Sequence, residues 1–281
     1  MHVLVAGCGW LGAEIARRAV GRGDRVTGVR RDPSQAKPLR ALGVELLAVD
    51  LSLPRAVDRL PPAEAIVACQ AAGVEQLGAY EAAYLRANEA LLTAASRWGA
   101  RMVYTGSTGV FGQRDGSAVD EAVPPAPATP TARVLFEAES LLLSAARGGT
   151  DARVVRLSGL YGPGRVGIIE RVRSGKLCLG PGDDAWMNFC HLEDAASFVL
   201  AALRTSSAGA VYHGSDAAPA RRREVVSWIA NALGMLPHRE DEPWSGPNRR
   251  ILSERTRLEL GVSLAYASFR EGLAQFLAPG S

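Results

Sequence analysis

Short apolar segments alternate along this chain with longer segments in which apolar residues recur every three or four positions. The short segments have the length of buried strands, and the longer ones show the pattern of amphipathic helices. Predicted strands lie at 2–6, 25–29, 45–49, 65–69, 101–104 and 153–157. Strands that alternate with helices in this order predict an α/β fold with a doubly wound parallel sheet and right-handed crossovers.

The first predicted strand runs into the turn GCGWLG at residues 7–12, and a helical pattern follows it. A G-x-G-x-x-G turn between a strand and a helix is typical of Rossmann-like domains, where it holds a dinucleotide pyrophosphate at the helix N-terminus. Gly7 would make the turn, Gly9 would admit the phosphates, and Gly12 would let the helix pack closely on the strand. We predict that this turn, including Trp10 and Leu11, contacts a cofactor; a turn without a ligand is the alternative.

The end of the second strand distinguishes the two nicotinamide cofactors. An acidic residue there would bind the ribose 2′-hydroxyl of NAD, whereas arginine suits the 2′-phosphate of NADP. Arg30 follows the predicted strand directly and Arg31 adds a second guanidinium, so NADP is the predicted cofactor and NAD is the alternative. Asp32 would take the acidic role if the strand ran one or two residues further. After the third strand, Asp50 and Leu51 are predicted to contact the adenine ring.

The second half of the chain has a different pattern. After residue 157 the alternation weakens, and Gly/Pro-rich loops separate short helices, predicted at 222–233 and 268–277. We interpret residues 1–157 as an NAD(P)-binding Rossmann-like domain. Residues 158–281 are predicted to form a smaller substrate-binding lobe whose chain returns to the core sheet.

Composition restricts the partners. The 281 residues have a net charge of +3, and 47% of them are hydrophobic, which fits an enzyme-sized protein with a small-molecule substrate and does not indicate nucleic-acid binding. The cysteines have no CxxC or Cys/His spacing, so neither a disulfide framework nor a metal site is predicted. Without a basic leader or about 18 consecutive apolar residues, no signal peptide or membrane span is predicted, and we expect a cytoplasmic protein.

Several stretches resemble the NAD-dependent epimerase/dehydratase family of extended short-chain dehydrogenase/reductases, over nearly the whole chain. They are VYTGSTGVFG at 103–112, RLSGLYGPG at 156–164, NFCHLED at 188–194 and SFREGL at 268–273. The glycine turn departs from the family's usual GxxGxxG and resembles its atypical, YeeZ-type members. The resemblance implies a dinucleotide-binding Rossmann-like fold, and a nucleotide sugar is one substrate it suggests. It also suggests a homodimer, because the helical stretches from Glu75 to Trp98 and from Arg133 resemble the pair that builds a dimer interface in this family.

The proton relay of that family is a tyrosine and a lysine four residues apart on a helix. Aligning residues 137–139 with that helix places Thr131 at the tyrosine position and Leu135 at the lysine position. In the relay the lysine charge lowers the pKa of the tyrosine, so the phenol can exchange a proton near neutral pH. Thr131 is far too weakly acidic for this role, and Leu135 has no charge. Lys37 and Lys176, the only lysines, do not follow a tyrosine by four residues.

Candidate replacements are Ser107 and Thr108, after the fifth strand, and Tyr161, after the sixth. The two smaller hydroxyls could bond a substrate oxygen beside the nicotinamide, and Tyr161 could supply a proton or be a packed ring. Two functions remain open. One is an NADP(H)-dependent oxidoreductase or epimerase with an atypical active site and a small polar substrate; the other is a non-catalytic NADP(H)-binding redox sensor or regulatory subunit. A closed, polar-lined pocket over the nicotinamide would favour the enzyme.

Overall fold

A computed structural model describes residues 1–277. The strands, in chain order, are β1 (His2–Ala6), β2 (Arg25–Arg30), β3 (Glu45–Ala48), β4 (Ala65–Ala68), β5 (Arg101–Ser107), β6 (Ala118–Val119), β7 (Ala152–Leu157), β8 (Gly159–Tyr161), β9 (Trp186–Met187), β10 (Phe189–His191), β11 (Val211–Gly214), β12 (Ala220–Arg221) and β13 (Arg250–Ile251). The α-helices are α1 (Trp10–Gly21), α2 (Lys37–Ala41), α3 (Leu77–Tyr80), α4 (Ala87–Trp98), α5 (Pro130–Arg147), α6 (Gly167–Arg173), α7 (Leu192–Ala202), α8 (Arg222–Ala232), α9 (Glu254–Leu260) and α10 (Phe269–Ala274). A π-helical segment, Glu81–Arg86, joins α3 to α4, and single 3₁₀ turns lie at Ser34–Ala36, Ala56–Arg59 and Thr108–Val110.

The central sheet has seven parallel strands in the order β11-β7-β5-β4-β1-β2-β3. The strand order reverses beside β1, which pairs with β2 on one side and β4 on the other. Ala6, at the end of β1, is level with Val29 and Ala68 on these neighbours, so the three carboxyl ends lie together. Open parallel sheets bind ligands at such a reversal.

Both faces of the sheet are covered, which explains the continuous apolar character of its strands. Successive side chains of a strand point to opposite faces. Val3 and Val5 accordingly pack with Ile15 of α1 in one apolar cluster, while Leu4 packs with Leu91 of α4 in the other. All five side chains are fully buried.

The lobe has its own apolar core beneath the carboxyl edge of the sheet. Phe189, Val225 and Phe269 belong to one buried cluster, which joins β10, α8 and α10. Two small sheets, β8 with β10 and β9 with β12, support the loops of this region. Within residues 1–277, no helix is long and apolar enough to cross a membrane, and no group of three or more His, Cys, Asp or Glu side chains could hold a metal ion.

The predicted α/β fold with a doubly wound parallel sheet is confirmed, and all six predicted strands are present. The fifth continues to Ser107 instead of ending at residue 104. The seventh strand, β11, pairs with β7. It lies in the predicted lobe, for which the sequence predicts a return of the chain to the core sheet but no particular strand. The predicted division falls between β7 and β8, and the assignment of residues 1–157 and 158–281 to two units stays a prediction.

Candidate cofactor and substrate site

Two glycines of the 7–12 turn are required by the fold itself. Gly7 has φ +79°, and a Cβ there would overlap the backbone of Gln70. A Cβ on Gly12 would lie 2.5 Å from the Gly7 carbonyl oxygen and 3.0 Å from Sγ of Cys69. The backbone N–H of Gly7 also donates to the carbonyl of Val29 at 2.9 Å. These contacts fix the turn between β1, β2 and β4.

Gly9 has a different environment. A Cβ there would meet only the Gly7 carbonyl oxygen, at 3.9 Å, so the space in front of it is open. Helix α1 begins at this point without a side-chain cap and without an acidic residue in its first turn, and its first N–H groups are therefore available to an anion. Burial raises the pKa of the neighbouring Cys8 to about 11, so this thiol stays neutral. The turn fits a dinucleotide pyrophosphate.

Two arginines and an aspartate follow β2 in different environments. Arg30 is half-buried, and its Nη1 donates to the carbonyl of Cys8 at 3.4 Å, which places the guanidinium beside the glycine turn. Arg31 is exposed. Asp32 is exposed too, and its Oδ1 accepts the N–H of Ser34 at 2.9 Å. The structure thus brings Arg30 to the turn, while the Asp32 carboxylate caps a backbone group.

The residues after β3 lie at the same edge. Asp50 is half-buried, and its Oδ1 accepts the hydroxyl of Ser52 at 2.6 Å and the N–H of Ser52 at 3.0 Å. The Ser52 hydroxyl bond lowers the pKa of Asp50, so it stays ionised. The Leu51 side chain is buried in the core. An adenine contact from these two residues stays a prediction.

Trp10 connects the glycine turn to the lobe. Its indole Nε1 donates to the carbonyl of Pro163 at 2.7 Å, and the guanidinium carbon of Arg165 lies 4.8 Å from its ring centroid. Leu11 points the other way, into the buried cluster beneath α1. Of these two predicted cofactor residues, Trp10 therefore faces the lobe and Leu11 packs in the core.

A cleft of about 600 Å³ lies beside this contact, between the carboxyl ends of β5 and β7 and the lobe. Its lining residues are Thr108, Gly159, Leu160, Tyr161, Arg165, Gly167, Ile168, Arg171, Trp186, Met187, Asn188, Phe189, Trp244, Pro247 and Arg249. A hollow of about 660 Å³ lies at the opposite edge of the sheet, around His2 and Asp151. It is remote from the glycine turn and at the amino ends of the strands, where such sheets do not bind their ligands.

Ser107 and Thr108 lie where β5 ends. Oγ of Ser107 accepts the N–H of Gly109 at 3.0 Å, so its own proton is available to another acceptor. Thr108 is buried and lines the cleft, and its hydroxyl makes only a long bond, 3.4 Å, to the carbonyl of Leu157. Its carbonyl oxygen accepts Nη2 of Arg249 at 2.8 Å. The edge of the cleft therefore carries a small hydroxyl and a guanidinium.

Tyr161 packs as a ring in the lobe core. Its ring lies edge-on to Phe189 and His191, and its hydroxyl packs against Gly272 of α10, where a side chain would overlap it. The hydroxyl has no hydrogen-bond partner in the described part of the chain. Burial, with Asp216 nearby, raises the pKa of Tyr161. These properties are typical of a packed aromatic side chain and not of a general acid whose pKa is shifted toward neutral pH.

Thr131 and Leu135, which the sequence alignment predicts at the relay positions, lie in the first two turns of α5. The hydroxyl of Thr131 is 3.2 Å from that of Thr129, which caps the helix. Leu135 packs against the small apolar cluster that contains Phe111 and Ile251. Neither side chain makes an ion pair, and both serve local structure.

A buried ion pair lies behind the end of β5. Nη2 of Arg156 lies 2.9 Å from Oε2 of Glu139, and both side chains are almost wholly inaccessible. Burial raises the pKa of Glu139, and Arg156 opposes that change. Gly106 provides the room, since a Cβ there would lie 2.9 Å from Oε1 of Glu139. The pair joins α5 to β7 directly beneath the candidate site.

Comparison with known families assigns the chain. The family model of the NAD-dependent epimerase/dehydratase family matches residues 3–214. The chain belongs to this family. Protein YeeZ of Escherichia coli K12 is 31% identical over 271 residues, which are 94% of this chain and 96% of that protein.

Solved structures agree with this assignment. A candidate NAD-dependent epimerase/dehydratase of Methylobacillus flagellatus is 29% identical, with a TM-score of 0.78, over 99% of this chain and 97% of that chain. The NAD complex of UDP-glucose 4-epimerase from Thermus thermophilus is 24% identical, with a TM-score of 0.81, over 99% and 98% of the two chains. The second of these shows the fold alone.

Three residues of the cleft have little signal in the sequence. Trp186 begins the two-residue strand β9 and Trp244 lies in a loop of the lobe; the one sequence signal of either is that large aromatic residues are unusual in a Gly/Pro-rich segment. Arg249 is one of many arginines, and the sequence does not separate it from the exposed Arg250. Their positions come from the tertiary structure.

Proposed function

We propose that this protein is an NADP(H)-dependent oxidoreductase or epimerase that acts on a small polar substrate. The observation that carries the proposal is one continuous arrangement: the open space at Gly9, the Trp10 contact with Pro163, and the cleft behind that contact. A bound nicotinamide would supply or accept a hydride. This chain's part is to hold the pyrophosphate at α1 and to place a substrate beside Ser107 and Thr108.

The contacts of Arg30 support NADP over NAD. Its guanidinium lies beside the glycine turn, and Arg31 is exposed and free to bind a 2′-phosphate, whereas Asp32 is engaged with Ser34. A charge-assisted bond to that phosphate is worth about 1.5–3 kcal/mol, or roughly tenfold or more in affinity. Fluorescence titration should therefore give a lower Kd for NADPH than for NADH. Equal values, or tighter binding of NADH, would mean that Asp32 and not the arginines binds the ribose.

A nucleotide sugar is one candidate substrate. The Thermus thermophilus relative is named as a UDP-glucose 4-epimerase, and the cleft carries Arg165, Arg171 and Arg249. A turnover assay with NADP(H) and a panel of sugar nucleotides, carbonyl compounds and imines tests the reaction class.

Ser107 is the proposed proton donor or hydrogen-bond donor to the substrate. Its proton has no acceptor among the described residues, whereas the hydroxyl of Tyr161 is enclosed by Gly272. A general acid is typically worth about 10² to 10⁴ in rate. Ser107→Ala should lower kcat with little change in the Kd of the cofactor, and Thr131→Ala should leave kcat nearly unchanged. A large loss with Tyr161→Phe instead would transfer the role to Tyr161.

The second candidate function is a redox sensor or regulatory subunit. It is favoured by the environment of Tyr161 together with the residues at positions 131 and 135, which leave the site without a tuned acid. Tight binding of NADPH with no turnover of any compound in the panel would support it. Turnover that Ser107→Ala reduces would reject it.

A further inference from the structure

Four arginines in the described part of the chain are buried: Arg153, Arg156, Arg222 and Arg249. Charged groups are almost never buried without a partner, because the loss of hydration is costly. Three of the four follow this rule. Arg153 pairs with Asp151, Arg156 with Glu139, and Arg222 with Asp183 and Glu240.

Arg249 is the exception. It is only 9% exposed, and it forms no ion pair with a carboxylate of residues 1–277. Its Nη2 donates to the carbonyl of Thr108, and its Nε is buried without an acceptor. Since it also lines the cleft, the negative charge that it lacks can come from a bound molecule.

The backbone holds Arg249 in this position. Oδ1 of Asn188 accepts the N–H of Ile251 at 2.8 Å, and Nδ2 of Asn188 donates to the carbonyl of Arg249 at 2.9 Å. These bonds hold the backbone, and the bond from Nη2 to the Thr108 carbonyl holds the guanidinium, so the group is positioned before a ligand arrives and the entropic cost of binding is lower.

The rest of the cleft indicates what such a ligand carries besides its charge. Trp186, Phe189 and Trp244 provide aromatic surface in the lining, and the guanidiniums of Arg221 and Arg250 lie over the Trp186 ring from outside the cleft lining. The other two arginines of the cleft, Arg165 and Arg171, are exposed. Among the described lining residues Arg249 is therefore the one buried cation, and it lies in a cleft with aromatic surface, which matches a single negative charge on a flat apolar body.

We propose that Arg249 receives the carboxylate of an organic acid whose apolar, ring-bearing part lies against Trp186 and Trp244. This inference rests on the proposed function, because it names the substrate class of the same cleft. A carboxylate fits one guanidinium through two parallel hydrogen bonds. A diphosphate would need the exposed Arg165 or Arg171 as well, since Arg249 alone supplies one positive charge.

Calorimetric titration of the full chain, with and without NADPH, tests the proposal with three probes: trans-cinnamate, cinnamamide and UDP-glucose. Cinnamate should bind, and cinnamamide, which has the same shape without the charge, should bind on the order of tenfold or more weakly. Arg249→Gln should lower the affinity for cinnamate by a similar factor. Arg255→Gln is the matched control, because Arg255 is exposed, lies outside the lining of the cleft and loses the same charge on substitution.

Each outcome decides the question. No binding of cinnamate, or equal binding of cinnamate and cinnamamide, would overturn the proposal, and so would equal losses in the two variants. If UDP-glucose alone binds and depends on Arg249, the residue receives a phosphate and the carboxylate assignment is wrong. If Arg249→Gln does not fold, Arg249→Lys replaces it in the test. This variant keeps the charge but lacks the planar guanidinium, and it should bind cinnamate less tightly than the wild type. NADPH is titrated separately, so its failure to bind would reject the proposed function and leave the cinnamate result standing.

Discussion

Asp216 is a buried carboxylate whose ionisation should make the protein less stable as the pH rises. The residue is 2% exposed; its Oδ1 accepts the N–H of Ala218 at 3.3 Å, and its Oδ2 has no partner within residues 1–277. Burial, with Asp194 and Glu271 nearby, raises its pKa from 3.8 to about 7. The perturbation that tests this is Asp216→Asn, which keeps the shape and removes the charge.

The magnitude follows from the pKa difference between the unfolded and folded states. A difference of about three pKa units corresponds to about 4 kcal/mol of unfolding free energy, since each unit is worth about 1.36 kcal/mol. Because the folded pKa is the higher one, the contribution is complete below pH 4 and is lost as the pH rises to about 7. The part lost between pH 5 and pH 8 is about 2–3 kcal/mol.

Urea unfolding of both proteins at pH 5 and pH 8 measures this. The stability of Asp216→Asn relative to the wild type should increase by about 2–3 kcal/mol between the two pH values, and constant effects of the substitution cancel in that comparison. Asp241→Asn, which removes an exposed carboxylate, is the control and should show no comparable change. A pH-independent difference, or one that favours the wild type more at pH 8, would refute the reasoning.

Two further predictions concern the turn and the ion pair. Gly9→Val should abolish NADPH binding in titrations while the melting temperature stays close to that of the wild type, because only the open space is filled; Gly12→Val should instead prevent folding, since its Cβ would lie 2.5 Å from the Gly7 oxygen. A folded Gly9→Val variant that binds NADPH would show that the turn is misassigned. Arg156→Met should reduce the unfolding free energy in urea by about 3–5 kcal/mol, because it leaves Glu139 buried and unpaired, whereas Arg25→Met, which breaks an exposed pair with Glu45, should cost less than about 1 kcal/mol. Similar losses in these two variants would contradict the assignment of a buried pair.

The sheet and the glycine turn could be predicted because their signals are local. A strand of continuous apolar residues such as β1 shows its burial in its own sequence, and Gly7, Gly9 and Gly12 stand in one hexapeptide between a strand and a helix. Parallel topology then places the ends of β1, β2 and β5 at one edge, so the positions of Arg30 and Ser107 follow without knowledge of side-chain contacts.

The cleft could not be predicted in the same way, since its properties depend on contacts between distant segments. The Tyr161 hydroxyl packs against Gly272, which lies more than a hundred residues later in the chain. The sequence alone therefore leaves open whether Tyr161 is a packed core side chain or a proton donor. Arg249 is held at the cleft by hydrogen bonds with Asn188 and Thr108, which are both distant from it in the sequence. The π-helical segment at Glu81–Arg86 lies within a stretch whose pattern predicts only a helix from 75 to 98.

The bond from Trp10 to Pro163 makes two binding events parts of one equilibrium. Trp10 belongs to the turn that would hold the pyrophosphate, and Pro163 belongs to the segment that leads into the cleft. If a molecule in the cleft shifts this segment toward or away from the turn, it changes the affinity for the dinucleotide by some factor. Thermodynamic reciprocity then requires the dinucleotide to change the affinity for that molecule by the same factor. The order in which the two molecules bind can change the rates of binding, but it cannot change the overall free energy of forming the complex with both.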